Sequence, residues 1–244
     1  MSGHSKWANI KHRKAKQDAA KGRGFTKVVR EIIMAARSGG GDPAGNFRLR
    51  MAIDKAKEIN MPTDNVNRAI AKGTGGLDGS NYEEMSYEGY GPGGVAIMLD
   101  ILTDNRNRTA GDIRHLFSKY GGNMGETGCV NWMFSKTGVI NVDETECPIS
   151  EDELLLLAAE AGADDLESND GSYVITCNPD AVSKVKAELE SAGIPVTSAN
   201  ITYLPQNTMT IAGDDAVKLL KLLDALDEHD DVQETYANFE MEEE

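Results

Sequence analysis

Apolar residues recur along the first quarter of the chain at helical spacing. Phe25, Val28, Val29, Ile32, Ile33 and Ala36 fall at i, i+3, i+4, i+7, i+8 and i+11, which predicts one amphipathic helix ended by Ser38-Gly39-Gly40-Gly41-Asp42-Pro43. A second stripe, Leu49, Ala52, Ile53, Ala56 and Ile59, stops at Asn60-Met61-Pro62, and a third short helix is expected with Thr63 as its N-cap and Val66, Ala69 and Ile70 buried. Three such stripes joined by short connections predict a small three-helix bundle.

The pattern changes after Gly73-Thr74-Gly75-Gly76-Leu77-Asp78-Gly79-Ser80, a linker by composition. Val95 to Leu102 is an almost unbroken apolar run, as expected of a strand buried on both faces. Thr109 to Asp112 has capping-box spacing and predicts a helix with Ile113, Leu116, Phe117 and Tyr120 inward, closed by Gly121-Gly122. Val130, Trp132 and Phe134 alternate, and Ser135-Lys136-Thr137-Gly138 then predicts a hairpin turn into Val139 to Val142. Beyond it Ser150 and Glu153 form another capping box before Leu154 to Ala161. Tyr173 to Thr176 reads as a strand, Asn178-Pro179 opens a helix ending at Gly193, and Val196 to Leu204 is extended. Leu219, Leu220, Leu222, Leu223 and Leu226 mark a last helix before a strand near Val232 to Phe239. Helices alternating with β runs predict a multidomain α+β chain built of split βαβ layers. The expected division is residues 1–78 as a basic arm and helical domain, 79–143 with 207–244 as an α+β domain, and 144–206 as an inserted α+β lobe.

Charge divides the chain along the same line. The formal net charge is -15, yet residues 1–72 hold 16 of the 25 Lys and Arg against 6 of the 40 Asp and Glu, leaving +10 there and -25 in the rest. Nothing in solubility calls for a cationic segment on an acidic protein, so a polyanion is the expected partner. Lys6, Lys11, Arg13, Lys14, Lys16, Lys21 and Arg23 would contact phosphates, and His4, Trp7 and His12 are flat rings able to stack on bases or ribose. A membrane surface is the poorer fit, since residues 4–21 offer little apolar surface beyond Trp7 and Ile10. No run approaches the roughly 20 apolar residues of a membrane helix, and no apolar signal-peptide core follows the N-terminal cations, so a cytoplasmic protein is expected.

The chemistry expected elsewhere is sparse. Arg106 and Arg108 lie in the Thr103-Asp104-Asn105-Arg106-Asn107-Arg108-Thr109 connection, beside the free N–H groups of a helix start; they suit either a second anion site or ion pairs that hold the loop. Gly89-Tyr90-Gly91-Pro92-Gly93-Gly94 satisfies GxGxxG but leads into a strand, so a tight β turn is expected and no dinucleotide. Cys129, Cys147 and Cys177 are odd in number and widely spaced, which fits neither disulfides nor zinc. Asp164-Asp165 and Asp230-Asp231 lack EF-hand spacing and are expected in surface turns. HExxH, GxSxG and GxxxxGK[ST] are missing, and only His115 and His229 lie outside the arm; no catalytic residue, metal or cofactor is expected.

Five segments carry a resemblance: Gly3-His4-Ser5-Lys6-Trp7, Gly39-Gly40-Gly41-Asp42-Pro43, Met61-Pro62-Thr63-Asp64-Asn65, Tyr87-Glu88-Gly89-Tyr90-Gly91-Pro92-Gly93-Gly94 and Thr103 to Thr109. In that order they resemble the YebC family across nearly the whole chain. The resemblance implies a helical N-terminal domain and two α+β domains around a cleft. It also implies a cytoplasmic, non-enzymatic regulator of gene expression. Bacterial members are described as probable DNA-binding transcriptional regulators, whereas mitochondrial relatives and some bacterial ones are similar to ribosome-associated translation factors that meet ribosomal or transfer RNA. DNA-binding transcription regulation is the first expectation and translational activation the alternative, with a protein partner on the acidic lobes as a further one. An enzyme using the acidic cleft is the rival of a different class.

Overall fold

The computed structural model describes residues 23–75, 82–169 and 171–242. The described residues form two compact units, one within residues 134–206 and the other within residues 23–133 together with 207–242.

The larger unit begins with helices α1 (Arg23–Gly39), α2 (Phe47–Glu58) and α3 (Thr63–Thr74). Each follows its apolar stripe: Ile32, Ile33 and Ala36 of α1 close on Leu49, Ala52 and Ala56 of α2 and on Val66 and Ala69 of α3 in one core. The turn into α2 is fixed by Asn46, which is buried; its side chain accepts from Leu49 N at 3.0 Å and donates to the carbonyls of Ala35 and Gly40, both at 2.8 Å. Thr63 is the first helical residue of α3 and not its cap; Pro62 holds that position, and its fixed φ suits a helix entry without a side-chain bond. Gly73 lets α3 meet α1, because a Cβ there would lie 2.5 Å from the Ile33 carbonyl oxygen and 2.7 Å from Ala36 Cβ.

The same unit carries an antiparallel sheet of β1 (Glu83–Tyr90), β2 (Ala96–Thr103), β3 (Asn123–Met124) and β9 (Val232–Ala237), in the order β3-β1-β2-β9. Strand β2 is buried on both faces as its sequence predicts. Its Ile97, Leu99 and Ile101 pack with Ile113 and Phe117 of α4 (Arg106–Lys119) and with Leu219, Leu222, Leu223 and Leu226 of α7 (Gly213–Asp227). The glycine-rich segment is the turn between β1 and β2, with Gly93 at φ 71° and Gly94 at φ 81°, so the GxGxxG pattern joins two strands. Two short parallel strands, β8 (Met209–Ile211) and β10 (Phe239–Met241), complete the unit.

The smaller unit runs β4 (Phe134–Asp143), α5 (Glu151–Ala161), β5 (Ala163–Asn169), β6 (Ser172–Cys177), α6 (Val182–Ser191) and β7 (Val196–Pro205), with strand order β5-β6-β4-β7 and every pairing antiparallel. This is the expected split βαβ arrangement. The Ser150–Glu153 capping box is formed as expected. Two local expectations fail. Residues 131–133 are a 3-10 turn and 134–143 are one strand, so no hairpin forms at Ser135 to Gly138; β4 pairs with β6 and β7 over that stretch, and Gly138 sits where a Cβ would collide with Val182 and with Cys177 Sγ. Asp164-Asp165 lies in β5 and not in a turn, because Ala163 to Asn169 pairs along β6.

Candidate nucleic-acid interface

The helical module of the larger unit is the cationic part of the described chain. Residues 23–75 contain ten Lys and Arg against five Asp and Glu. One set of these cations is engaged by the acidic half of the same unit. Lys27 Nζ donates to the Asp227 carbonyl at 2.7 Å, and Arg30 Nη1 donates to the Asp230 carbonyl at 2.7 Å and to Asp231 Oδ1 at 2.9 Å. Lys55 lies 3.1 Å from Glu31 and 3.9 Å from Glu234, and Arg48 pairs with Glu84. A second set stays on the outside. Arg37, Arg50, Lys57, Arg68 and Lys72 are exposed. Of these, Arg50 donates to the Pro43 carbonyl at 2.6 Å and lies over the Phe47 ring, Arg68 reaches Asn65 at 2.5 Å, and Lys57 meets Asp54 at 2.8 Å. These local contacts hold the cationic groups on the surface without burying them.

The sequence-predicted arm residues His4, Lys6, Trp7, Lys11, His12, Arg13, Lys14, Lys16 and Lys21 lie outside the described residues. Arg23 lies in α1.

Helix α4 starts earlier than its capping-box spacing predicts. Asn105 is the N-cap and accepts from Arg108 N at 3.1 Å, so Arg106 and Arg108 belong to the first turn. Thr109 turns inward instead of capping, because a buried carboxylate awaits it. Asp231 is 2 % exposed; its Oδ2 accepts from Thr109 Oγ1 at 2.7 Å, Arg108 Nη2 at 2.8 Å and Thr103 Oγ1 at 3.1 Å, while Oδ1 takes Arg30. Burial alone would raise this carboxyl, but the Arg108 and Thr109 hydrogen bonds, the Arg108 charge and Thr103 outweigh it and hold it below its ordinary value. Asp231 therefore does not solvate the surface, as its Asp-Asp turn suggests; it ties α1, β2 and α4 together.

The two arginines have different surroundings. Arg108 also meets Asp104 at 3.0 Å and is about half exposed. Arg106 is 69 % exposed, with Glu83 at 3.8 Å as its ion-pair partner, and its carbonyl accepts from Tyr87 Oη at 3.3 Å.

Glu88 is a second buried carboxylate, which the sequence does not mark. This carboxylate is 2 % exposed and accepts from the N–H groups of Gly128, Val130 and Asn131 at 2.8, 2.8 and 2.9 Å. Burial pushes it upward, but the three N–H donors prevail and hold it ionised below the ordinary range. The signal available in the sequence was an acid inside a strand beside glycine, without any hint of the loop it captures.

Among the described residues no group of three or more His, Cys, Asp and Glu is placed to hold a metal ion. Cys129 and Cys177 are raised, in each case by burial first and by neighbouring carboxylates second, which keeps the thiols protonated and poorly nucleophilic. His115 is exposed on α4, while His229 Nδ1 accepts from Asp231 N at 3.1 Å. No described helix is long and apolar enough to cross a membrane.

Comparison with known proteins adds a family to this geometry. Residues 5–76 match the model of the TACO1/YebC protein N-terminal domain, and residues 82–239 match the TACO1/YebC second and third domain. A protein of Desulfitobacterium hafniense named "Probable transcriptional regulatory protein" is 58 % identical over 242 residues, covering 99 % of this chain and 96 % of its own. A protein of the same name from Pelotomaculum thermopropionicum is 57 % identical, covering 99 % of this chain and all of its own. The crystal structure of the conserved hypothetical protein Aq1575 from Aquifex aeolicus is similar with a TM-score of 0.84 and 48 % identity, over 94 % of each chain.

Proposed function

Since the chain belongs to the TACO1/YebC family, we propose that it is a non-enzymatic, nucleic-acid-binding regulator of gene expression that holds phosphates with its N-terminal basic segment and helical module. The observation that carries this reading is the charge partition: a module with +10 over residues 1–72 on a chain whose remainder is -25. The cationic first quarter of the chain attracts a polyanion and the acidic remainder repels it. The binding set is Lys6, Lys11, Arg13, Lys14, Lys16, Lys21 and Arg23, with His4, Trp7 and His12 as stacking rings, and with Arg106 as an accessory contact beside the start of α4. The engagement of Arg108 by Asp231 and Asp104 supports a positioning role for that residue.

The relatives are named probable transcriptional regulatory proteins, which favours a role in transcription, and DNA is the polymer read for that role. A second reading, translational activation through ribosomal or transfer RNA, is favoured by the ring content of the basic segment, since aromatic and histidine side chains stack on unpaired bases more readily than they read a duplex groove. In both readings the protein works in the cytoplasm, without cofactor, and its acidic lobes are left for protein contacts. Crosslinking in cells followed by sequencing of both DNA and RNA partners separates the two. Discrete promoter sites without ribosomal RNA are expected of the transcription regulator, and crosslinks from the basic segment to ribosomal or transfer RNA would replace it with the translation factor.

A further inference from the structure

Two large aromatic side chains of the acidic half are left open to solvent side by side. Trp132, in the 3-10 turn before β4, is 65 % exposed, and Tyr90, the last residue of β1, is 37 % exposed. Their polar tips share one acceptor: Trp132 Nε1 and Tyr90 Oη each donate to the Cys129 carbonyl at 3.2 Å. With both tips bonded back into the protein, each ring offers solvent mainly its apolar surface.

The mounting of these rings is rigid. Glu88 gathers three N–H groups of the Gly128 to Asn131 loop, Gly125 N donates to the Glu88 carbonyl at 2.8 Å, and β3 pairs with Gly89 and Tyr90. Val130, two residues before Trp132, is fully buried. A preorganised pair of exposed rings binds flat partners with little ordering cost.

We propose that Tyr90 and Trp132 form a stacking platform for unpaired nucleobases, a second contact that rests on the nucleic-acid reading above. The occupant follows from chemistry and charge. The half of the chain that carries the rings is acidic and cannot attract phosphate, so it gains only from a π face of a strand whose phosphates the N-terminal cations already hold. Paired bases hide those faces within the duplex, and unpaired ones expose them. The basic segment then sets affinity for any polyanion, and the platform adds a preference for single strands, whether RNA or DNA.

The chain has two tryptophans, Trp7 and Trp132, so Trp7→Phe leaves Trp132 as the only indole while keeping a ring in the basic segment. This full-length variant is titrated with oligo(U), oligo(dT) and a mixed-sequence duplex of about 15 nucleotides, a length within the usual range of single-strand sites. Binding is followed by anisotropy of the labelled oligonucleotide and, separately, by Trp132 emission. Quenching of Trp132 by both single strands but not by the duplex is expected, and oligo(U) alone would assign the platform to RNA. Trp132→Ala should weaken single-strand binding about tenfold and leave duplex binding unchanged. Because the ring is largely exposed, an unaltered Tm is expected of that variant. Saturable single-strand binding with silent Trp132 emission, or an equal loss for single strand and duplex, overturns the platform and leaves the nucleic-acid reading intact. No binding of any oligonucleotide overturns both.

Discussion

Arg30 of α1 and Asp231 before β9 lie 201 positions apart and meet at 2.9 Å, so a cation of the basic module is an internal partner of the acidic half. The carboxylate also receives Arg108, Thr103 and Thr109 and is almost fully buried. Opposite charges that divide the chain thus also hold its larger unit together. A cation spent in this way is not available to phosphate, which shifts the expected binding surface to the N-terminal segment and the outer face of the helices.

Asp231→Ala removes the buried acceptor that Arg30, Arg108 and two hydroxyls share. Removing one member of a buried charged network costs about 3–5 kcal/mol. Urea unfolding should show a loss of that size, whereas Thr103→Val, which removes one of four donors, should cost about 1 kcal/mol. Equal and small losses for both variants would mean that the network contributes nothing beyond geometry.

Both Asp231 and Glu88 have folded-state carboxyl values below their ordinary ones. A depressed acid binds its proton later in the folded state than in the unfolded one, so its stabilisation is fully present above the ordinary carboxylate range near about 4 and is lost as pH falls through the lower folded value. Stability measured from pH 7 down to pH 3 should therefore hold above about pH 5 and drop below about pH 4. The double variant Asp231→Asn, Glu88→Gln should begin less stable and lose less over the acid range.

Much of this architecture was legible in the chain. The stripes of α1 and α2, the doubly buried β2 and the Ser150–Glu153 cap are set by local periodicity and local hydrogen bonding, which a sequence displays directly. Other features were not legible, because partners distant in sequence decide them. Thr109 matches a cap but bonds Asp231, 122 positions away, so Asn105 takes the helix start. Asp231 looks like a surface turn until Arg30, Thr103 and Arg108 surround it. The alternation at Val130, Trp132 and Phe134 imitates a strand, but Glu88 captures the backbone N–H groups there and bends it into a turn. Arg106 and Arg108, equivalent in sequence, were separated only by what each one faces.

Those two arginines should behave differently under the same substitution. Arg106→Gln should leave unfolding unchanged and weaken nucleic-acid binding modestly, with a salt slope smaller by up to about 0.9 per phosphate lost. Arg108→Gln should lower stability through Asp231. A stable Arg108→Gln protein with a much reduced slope would move Arg108 from positioning to phosphate contact.

Gly73 tests the helical module. Gly73→Ala places a methyl against the Ile33 carbonyl and Ala36 and should cost about 1–3 kcal/mol in thermal or urea unfolding. Gly45→Ala, where a Cβ meets nothing within 4 Å, is the control and should be near neutral. Comparable effects at both sites would show that helix contact at Gly73 is looser than its geometry requires.

Comparison of the full chain with one lacking residues 1–22, against the same oligonucleotides over a range of salt, tests whether the N-terminal basic segment supplies the affinity for nucleic acid. The logarithm of affinity of the full chain should fall linearly with log salt, at about 0.7 to 0.9 per phosphate neutralised. The shortened chain should bind weaker by orders of magnitude, with a shallower slope and nearly the same Tm. Equal affinities and equal slopes for the two chains would contradict that role of the segment.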